Sequence, residues 1–282
     1  MAKFQLVHCL DAKHMHGLHG YKDVIDTVQW GLQQLGHEVR YSINAPSPDA
    51  VNIVFGAQIL PLETLSAFGD GTIIYNFEQI RGMPLAQIRP SLRYCASRFR
   101  IWDYSAANLE AWTGLGDVDV RVAPVGYAPV LSRLRKAQPQ DIDVLMYGIT
   151  GRKRLAAFDA LSACGLTAVF VSGLYGAARD GLIERAKVIL NINLYDQSKI
   201  FEIVRCSYLL ANRKAVVSEI EPGAFVEDDI KSGVLFADRR HVVAQCMALA
   251  EDDTRRAALE EEGFNVISRR DIRDILTSAL ET

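Results

Sequence analysis

Three charged side chains stand at the start of a stretch that otherwise has the pattern of a buried helix. The apolar run "KVILNINLY" is followed by "DQSKIFEIVRCSYLLAN", which carries Lys199, Glu202 and Arg205 among mostly apolar residues. The run predicts a strand, and the stretch after it predicts a helix that begins at Ser198. Charged groups at a junction between a strand and a helix indicate a ligand site, and their types indicate which ligand.

The N-terminus of this predicted helix is suited to an anion. Its unpaired backbone N–H groups and its dipole favour negative charge, with Asp196 or Ser198 as the cap. Lys199 adds a positive charge in the first turn, which opposes the dipole unless an anion such as phosphate is bound. Glu202 is suited to accept hydrogen bonds from two ribose hydroxyls. We therefore predict a phosphate beside Lys199 and a ribose beside Glu202; a solvated stripe of charges is the alternative.

A second loop in the same half of the chain has the composition of a phosphate site. The predicted strand "IDVLMYG" ends at Gly148 and is followed by Arg152 and Lys153 before a helix. Glycine lets a ligand approach the backbone closely, and the two cations suit a diphosphate, although the spacing is not that of a P-loop. Because ligands bind at the carboxyl ends of parallel strands, the two basic loops predict one shared site.

A different set of candidates lies in the first half of the chain. The loop "HMHGLHGY" places His14, His16 and His19 within six residues, directly after the predicted strand "FQLVHCL". Histidine can act as a general base near neutral pH, so we take His16 and His19 as candidate catalytic residues. Glu78, after "TIIYNF", is a third candidate, and Asp103, after "FRIW", is a further acid. The spacing indicates no additional zinc ligand, and we expect no metal.

The elements that must carry these groups alternate between strands and helices. The alternation runs to about residue 127 and restarts at residue 141, after the polar stretch "APVLSRLRKAQPQD". Such a pattern predicts an α/β fold with two Rossmann-like parallel sheets. We predict an N-terminal domain over 1–127, a linker over 128–140 and a C-terminal domain over 141–265. A C-terminal helix over 266–282 follows, and packing back on the N-terminal domain is one arrangement for it.

Composition limits the classes of partner. The 282 residues are 49% hydrophobic and 23% charged, which is typical of a globular protein. The formal net charge of −3 argues against a nucleic-acid partner. No apolar run approaches the roughly 20 residues of a membrane span, so we expect at most peripheral membrane contact. The N-terminus lacks a signal-peptide pattern, and we expect a cytoplasmic protein. The oligomeric state is left open.

Several stretches carry a family resemblance. The run from "DIDVLMYGITGRKR" to "LLANRKAVVSE" resembles bacterial family-1-like glycosyltransferases of the GT-B fold, and within them the spore-coat-type group. "IIYNFEQI", "IWDYSAANLEAW" and "VAPVGYAP" are similar to the same group. The resemblance implies two Rossmann-like domains facing across a cleft, with the sugar donor on the C-terminal domain and the acceptor on the N-terminal one. It also implies a transferase without metal or cofactor that uses a UDP- or GDP-linked sugar and a hydroxyl acceptor, a glycan being expected.

The resemblance further assigns the donor-binding residues. The cationic pair that contacts the donor diphosphate in this family corresponds to Arg152 or Lys153 together with Lys199. The ribose-binding glutamate corresponds to Glu202, and Tyr175 would border the base. The stretch after Glu202 lacks the small, glycine-containing pattern usual in the family, which leaves the donor open. The predicted donor-binding set is Gly148, Arg152, Lys153, Tyr175, Tyr195, Lys199 and Glu202.

Two other functions stay open at this stage. A non-catalytic GT-B-like protein that binds a nucleotide or a partner would need the same fold. Another nucleotide enzyme, such as an epimerase or a dehydrogenase, is disfavoured because no GxGxxG follows the first strand. The acidic patterns "DVDV" and "DIDV" precede predicted strands, so we interpret Asp117, Asp119, Asp141 and Asp143 as edge residues rather than metal ligands. The stereochemistry of transfer is not indicated.

Overall fold

The chain folds into two compact units, each built on a parallel sheet. A computed structural model describes residues 1–10, 19–195 and 199–281. One unit comprises Met1–Val130 together with the residues from Arg270 onward, and the other comprises Leu131–Arg269. The predicted class, α/β with two parallel sheets, is confirmed.

The first unit holds a sheet of six strands in the order β2-β1-β3-β4-β5-β6, all parallel. Its strands are β1 Lys3–His8, β2 Glu38–Ile43, β3 Val51–Phe55, β4 Ile73–Asn76, β5 Arg100–Asp103 and β6 Val120–Val122. Its helices are α1 Lys22–Gln34, α2 Leu62–Ser66, α3 Pro90–Arg98, α4 Leu109–Thr113 and, from the end of the chain, α10 Ile272–Leu280. Single 3-10 turns lie at His19–Tyr21, Ala57–Ile59, Leu85–Gln87, Ala106–Asn108 and Pro129–Leu131.

The second unit holds a sheet of five strands in the order β11-β10-β9-β7-β8, also parallel. Its strands are β7 Ile142–Tyr147, β8 Ala168–Val171, β9 Ala186–Asn191, β10 Ala215–Glu219 and β11 Leu235–Ala237. Its helices are α5 Arg152–Ala163, α6 Gly176–Arg185, α7 Ile203–Ala211, α8 Val242–Glu251 and α9 Asp253–Ser268. A 3-10 turn lies at Lys231–Gly233. The sequence pattern did not predict the short edge strand β11.

Several apolar runs, those of β1, β3, β7 and β9, become strands that are largely buried on both faces. Neighbouring side chains such as Leu6 and Val7, or Ile53 and Val54, are all solvent-excluded although they point to opposite faces of the sheet. Continuous apolar strands are typical of parallel sheets covered by helices on both sides. Their carboxyl ends therefore point into loops, where polar groups are exposed.

The prediction of a helix beginning at Ser198 is wrong, because α7 begins at Ile203. Ile200 forms a parallel bridge with Phe225, and the N–H of Phe225 donates to the carbonyl of Lys199 at 2.7 Å. Ile200 and Phe201 are both buried. An extended segment can bury two consecutive side chains, whereas a first helical turn that faces solvent would expose one of them. The proposed caps Asp196 and Ser198 lie outside the described residues.

The last helix belongs to the first unit. α10 packs on α1 at Gly31, where an added Cβ would lie 2.7 Å from Leu276 Cδ1. The N–H of Ile272 donates to the carbonyl of Tyr127 at 3.1 Å, which ties the start of α10 to the same unit. In residues 1–10, 19–195 and 199–281, no helix is long and apolar enough to cross a membrane.

Candidate functional site

The carboxyl ends of β7 and β9 bring two arginines around one glycine. Gly148 follows β7 with a φ of +132°, a backbone conformation that favours glycine. A Cβ at this position would lie 2.9 Å from Arg154 Nη1 and 3.1 Å from Arg205 Nη2. The backbone angle therefore favours glycine, and a side chain here would have to displace the ends of the two guanidinium groups.

Arg154 is buried and is held by main-chain oxygens. Its Nε donates to the carbonyl of Ile192 at 2.9 Å, and its Nη1 donates to the carbonyl of Ile149 at 2.7 Å. Burial, and secondarily the charge of Arg205, lowers the pKa of Arg154 to about 10. The side chain therefore still carries its positive charge near neutral pH.

Arg205 lies in the first turn of α7 and is oriented by a buried amide. Its Nη1 donates to Asn191 Oδ1 at 3.1 Å, and Asn191 Nδ2 donates to Ser218 Oγ at 3.0 Å. Asn191 and Ser218 are both buried, so this chain of hydrogen bonds fixes the position of the guanidinium group. The same guanidinium group lies over the ring of Tyr147, 5.6 Å from its centroid.

Among the described residues, these two arginines form no ion pair with a carboxylate, although Glu202 and Glu219 lie near enough to act on the charge of Arg154. In the part of the chain that the structure describes, neither Arg154 nor Arg205 has an Asp or Glu oxygen within ion-pair distance. Two neighbouring cations that are at least partly buried repel each other, and desolvation adds to the cost. The arrangement has the charge and donor geometry to bind an anion, and the N-terminus of α5, which follows Gly148 in sequence, favours negative charge through its dipole.

Glu202 is the residue that caps the start of α7. Its carbonyl accepts hydrogen bonds from the N–H groups of Arg205 and Cys206, at 3.2 and 3.1 Å. Its side chain is half-buried and lies close enough to Arg154 to favour the charged form of that arginine. The predicted carboxylate therefore lies at the same sheet edge as the two arginines.

The other predicted cations lie in different surroundings. Lys153 Nζ pairs with Glu221 at 3.1 Å and with the buried Glu219 at 3.3 Å, so two carboxylates already balance its charge. Arg152 is exposed at the first residue of α5. Lys199 is exposed on the extended segment that precedes α7, not in a helical turn. Arg154 and Arg205, rather than these three residues, are the basic side chains that lie directly beside Gly148.

The two predicted tyrosines lie near the arginines. Tyr175 caps α6, and burial raises its pKa while the charges of Arg205 and Arg179 lower it. Tyr195 is exposed, and its phenol acts electrostatically on Arg154. Tyr175 and Tyr195 therefore lie within electrostatic reach of Arg205 and Arg154, respectively.

The candidate catalytic residues of the first unit gather at the carboxyl ends of β1, β3 and β4. His19 is half-buried, and its ring lies edge-on to the ring of His8 with centroids 6.3 Å apart. Glu78 is half-buried, and its Oε1 accepts from Gln58 Nε2 at 3.0 Å. Gln58 also donates to the hydroxyl of Tyr21 at 3.2 Å. His14 and His16 lie outside the described residues.

Asp103 cannot contact an acceptor, because its side chain is solvent-excluded. Its carboxylate accepts from Trp112 Nε1 at 2.6 Å and from the side-chain amides of Asn76 and Asn108 at 2.8 and 3.0 Å. Both amides also donate to the carbonyl of Glu78, each at 3.0 Å. Asp103 therefore orients two asparagines that fix the main chain of Glu78.

Asp119 and Asp141 directly precede β6 and β7, Asp143 is the second residue of β7, and all three form ion pairs. Asp119 pairs with Arg100 at 2.8 Å, Asp141 with Arg185 at 2.6 Å and Asp143 with Lys187 at 2.7 Å. Among the described residues, no three His, Cys, Asp or Glu side chains come together as metal ligands.

Comparison at the sequence level does not assign the chain to a family. No protein-family model matches the chain. The uncharacterized protein L137 of Acanthamoeba polyphaga mimivirus is 24% identical over 159 residues, which are 55% of this chain and 20% of that protein. The chain thus spans about one fifth of the length of the curated relative it matches.

Comparison of structures identifies the fold. Anabaena HepE, solved with UDP and glucose, superposes with a TM-score of 0.63 at 10% identity over 98% of each chain. WaaG, a glycosyltransferase involved in lipopolysaccharide biosynthesis, gives 0.60 at 10% identity over 98% of each chain. AviGT4, a glycosyltransferase involved in avilamycin A biosynthesis, gives 0.57 at 16% identity over 99% of this chain and 97% of its own. At such identities the likeness shows the fold alone, and the fold is that of the GT-B glycosyltransferases.

Proposed function

We propose that this protein transfers a sugar from a UDP-linked donor to a hydroxyl acceptor. The observation that carries the proposal is the pair formed by Arg154 and Arg205 around Gly148, a double positive charge without a carboxylate partner in the described residues. A diphosphate has the negative charge and the multiple acceptor oxygens that two guanidinium groups bind well. The choice of UDP is supported by HepE, whose solved complexes contain UDP.

The proposed mechanism of sugar transfer depends on stabilising the negative charge that develops on the leaving diphosphate. Breaking the bond between the sugar and the diphosphate places negative charge on the leaving phosphate oxygens, and preorganised cations stabilise that charge. Arg154 and Arg205 supply two such cations, and the N–H groups at the start of α5 supply further donors. We assign the ribose hydroxyls to Glu202 and the base to the vicinity of Tyr175. No step of this scheme requires a metal ion.

The acceptor side of the proposal rests on the first unit. Glu78 and His19 lie at the carboxyl edge of its sheet, and either can take the proton from an acceptor hydroxyl. Glu78 is the stronger candidate, because Asn76 and Asn108 fix its main chain and Gln58 contacts its carboxylate. A glycan hydroxyl remains the proposed acceptor.

Nucleotide binding is the first test. We expect UDP to raise the Tm of the protein, with GDP giving a smaller shift and NAD none. Arg205→Gln and Glu202→Gln should each weaken UDP binding at least about tenfold, since each removes a charged contact to the ligand. Arg269→Gln, at an exposed arginine on α9's C-terminal end, is the matched control and should bind UDP normally. Equal UDP binding by Arg205→Gln and the unchanged protein would contradict the proposed site.

Catalysis is tested separately. Incubation with UDP-glucose and other UDP-sugars should release UDP slowly even without acceptor, and EDTA should not abolish the release. Glu78→Gln should lower turnover of a competent acceptor while leaving UDP binding intact. A protein that binds UDP but turns over no UDP-sugar would instead be the non-catalytic binding protein that the sequence left open.

A further inference from the structure

The carboxylate at the end of β10 contacts three other parts of the second unit. Glu219 is the last residue of β10, and its side chain is solvent-excluded. Its Oε1 accepts from Arg239 Nε at 3.0 Å, and its Oε2 lies 3.3 Å from Lys153 Nζ. Oε2 also accepts from the N–H of Asn193 at 3.1 Å. One carboxylate therefore joins the start of α5 to residues that follow β9 and β11.

The hydrogen bond from Asn193 leads to one of the two arginines of the candidate site. The N–H of Asn193 and the carbonyl of Ile192 belong to one trans peptide group, here called the 192–193 peptide. In a trans peptide these two groups point in opposite directions. Glu219 accepts from the N–H on one side, and Arg154 Nε donates to the carbonyl on the other side at 2.9 Å. The 192–193 peptide thus lies between the carboxylate and the guanidinium group.

The orientation of the 192–193 peptide decides how Arg154 is held. Ile192 and Asn193 are 2% and 5% exposed, so the two hydrogen bonds of this peptide are shielded from water. Rotation of the peptide would turn its carbonyl away from Arg154 Nε and leave the contact of Nη1 with the carbonyl of Ile149. Hydrogen bonds on both sides of an amide also polarise it and strengthen each other. Glu219 therefore fixes an acceptor that Arg154 uses.

The charge of Glu219 is balanced by other cations. Lys153 and Arg239 both pair with Glu219, and both also pair with Glu221. Glu219 favours the charged form of Arg154 through space, and among the described residues it forms no ion pair with that arginine. It can therefore orient Arg154 without occupying an N–H of its guanidinium group.

The other arginine of the site is held by separate contacts. Arg205 donates to Asn191, and Asn191 donates to Ser218 Oγ. Neither hydrogen bond involves the 192–193 peptide or the carboxylate of Glu219. A change at the Glu219 side chain is therefore expected to act on Arg154 and to leave Arg205 in place.

We propose that Glu219 is a positioning residue of the donor site, which holds Arg154 in place through the 192–193 peptide. It does not contact the donor, and it determines where the guanidinium group of Arg154 meets a diphosphate. This inference rests on the proposed function, because that function assigns binding of a UDP-linked donor to Arg154.

Two substitutions of similar length separate the hydrogen bond from the charge. Glu219→Gln keeps an oxygen that can accept from the N–H of Asn193, whereas Glu219→Met has none. Calorimetric titration should show UDP binding at least about tenfold weaker in Glu219→Met than in the unchanged protein, because a buried N–H loses its acceptor. Glu219→Gln should bind UDP at least about threefold more tightly than Glu219→Met.

Glu221→Met is the matched control. It removes a carboxylate from the same two cations, Lys153 and Arg239, and leaves the acceptor of Asn193 intact. It should change the Kd for UDP less than about threefold, because ion pairs that are partly exposed contribute little. Circular dichroism should show that each variant is folded at the temperature of the titration.

A double-mutant cycle identifies the residue through which Glu219 acts. In an Arg154→Met background, Glu219→Met should change the Kd for UDP by a further factor of less than about two, because the side chain that it positions is absent. In an Arg205→Gln background, Glu219→Met should keep its loss of at least about tenfold, because the two arginines are held separately.

Hydrogen exchange tests the positioning role without nucleotide. The Nε–H resonance of Arg154 in NMR spectra is assigned by its absence from Arg154→Met. In Glu219→Met this hydrogen should exchange at least about tenfold faster than in the unchanged protein, because the carbonyl of Ile192 no longer holds it. In Glu219→Gln the exchange rate should stay within about threefold of the unchanged protein.

Three results would overturn the inference. They are unchanged exchange at Arg154 Nε in Glu219→Met, an equal loss of UDP binding in Glu221→Met, and full additivity of Glu219→Met with Arg154→Met. A protein that binds no UDP, but whose Arg154 Nε–H exchanges faster in Glu219→Met, would contradict the proposed function and would still support the positioning of Arg154 by Glu219.

Discussion

At the residue scale, the candidate donor site depends on arginines that are oriented by neutral groups. Arg154 is held by two backbone carbonyls, and Arg205 is held by the amide of Asn191. Lys153 shows the opposite arrangement, with its charge balanced by Glu219 and Glu221. Neutral partners fix the geometry of a cation and leave its charge for the ligand, so the pairing pattern distinguishes binding cations from structural ones.

The sequence singled out some residues of this candidate site and not others. Gly148 and Glu202 could be found, because a glycine after a strand and an acid near a helix start have recognisable roles. The three basic residues at 152–154 are consecutive, and which of them points inward depends on the phase of α5, which only the packed structure fixes. Arg205 was recognisable as a charge within an apolar helix, but the predicted helix start at Ser198 placed Lys199 in the first helical turn instead of Arg205.

The glycine at the centre of the site gives the first prediction. Gly148→Ala should lower the free energy of unfolding by about 1–2 kcal/mol, because alanine is strained at the positive φ of this position. It should also weaken UDP binding at least about tenfold, because the added Cβ would displace Arg154 and Arg205. Gly165→Ala is the control, since Gly165 has a φ of +80° and open space around its Cβ position. It should lose similar stability and keep its UDP affinity. Calorimetric titration measures the affinity for UDP, and denaturant unfolding measures the stability. Equal UDP affinity of the two variants would contradict the prediction.

The buried carboxylate of Asp103 predicts a pH dependence. Burial raises its pKa from 3.8 to about 6, against the opposing effect of its hydrogen-bond donors. The folded state therefore holds the proton more tightly than the unfolded state, and the contribution of Asp103 to stability is lost as the pH rises from about 4 to about 6. The free energy of unfolding of Asp103→Asn, relative to the unchanged protein, should rise by about 3 kcal/mol across that window.

Tryptophan fluorescence measures this difference. Trp30, Trp102 and Trp112 are the three tryptophans of the chain, and all lie in the first unit with Asp103. Denaturant midpoints at a series of pH values give the two stabilities. A difference that stays constant from pH 4 to pH 7 would show that Asp103 titrates normally in the folded protein.

At the element scale, strands and helices were predictable where their signal is local. Apolar runs became β1, β3, β7 and β9, and helical spacing of apolar residues marked α1. The start of α7 was not predictable, because the pairing of Ile200 with Phe225 joins residues far apart in sequence. β11 could not be predicted for the same reason. It is a three-residue edge strand that is recognised mainly by its pairing with β10.

The corrected start of α7 gives the next prediction. Since Lys199 lies on an exposed extended segment and Arg205 in the first helical turn, Lys199→Gln should change the Kd for UDP less than about threefold. Arg205→Gln should change it at least about tenfold, because a charged hydrogen bond to the ligand is lost. Calorimetric titration of the two variants under the same salt conditions decides between them. A larger change in the Kd for UDP at Lys199 than at Arg205 would instead support the phosphate site beside Lys199 that the sequence alone predicted.

At the scale of the whole molecule, the alternation of elements was sufficient to predict two parallel sheets. It was not sufficient to place the end of the chain, because amphipathic spacing shows that a helix packs and does not show where. α10 belongs to the first unit, so both ends of the described chain lie there. The first unit is therefore completed by residues that follow the whole of the second unit in sequence.

The contact between α1 and α10 gives the last prediction. Gly→Ala inside a helix normally stabilises by about 1 kcal/mol, and Gly181→Ala in α6, where the Cβ position is open, should do so. Gly31→Ala should instead lower the free energy of unfolding by about 1 kcal/mol or more, because its Cβ would lie 2.7 Å from Leu276 Cδ1. Truncating Leu276 removes the shorter of two close contacts and leaves the one with Ile272 Cγ2 at 2.9 Å, so Gly31→Ala/Leu276→Ala should be more stable than the sum of its single changes implies but should not recover fully. Denaturant unfolding followed by circular dichroism measures all five proteins, the unchanged chain, the three single variants and the double variant. Additive changes would mean that α10 does not press on α1 at Gly31, and the docking of α10 in the first unit would then need another contact to explain it.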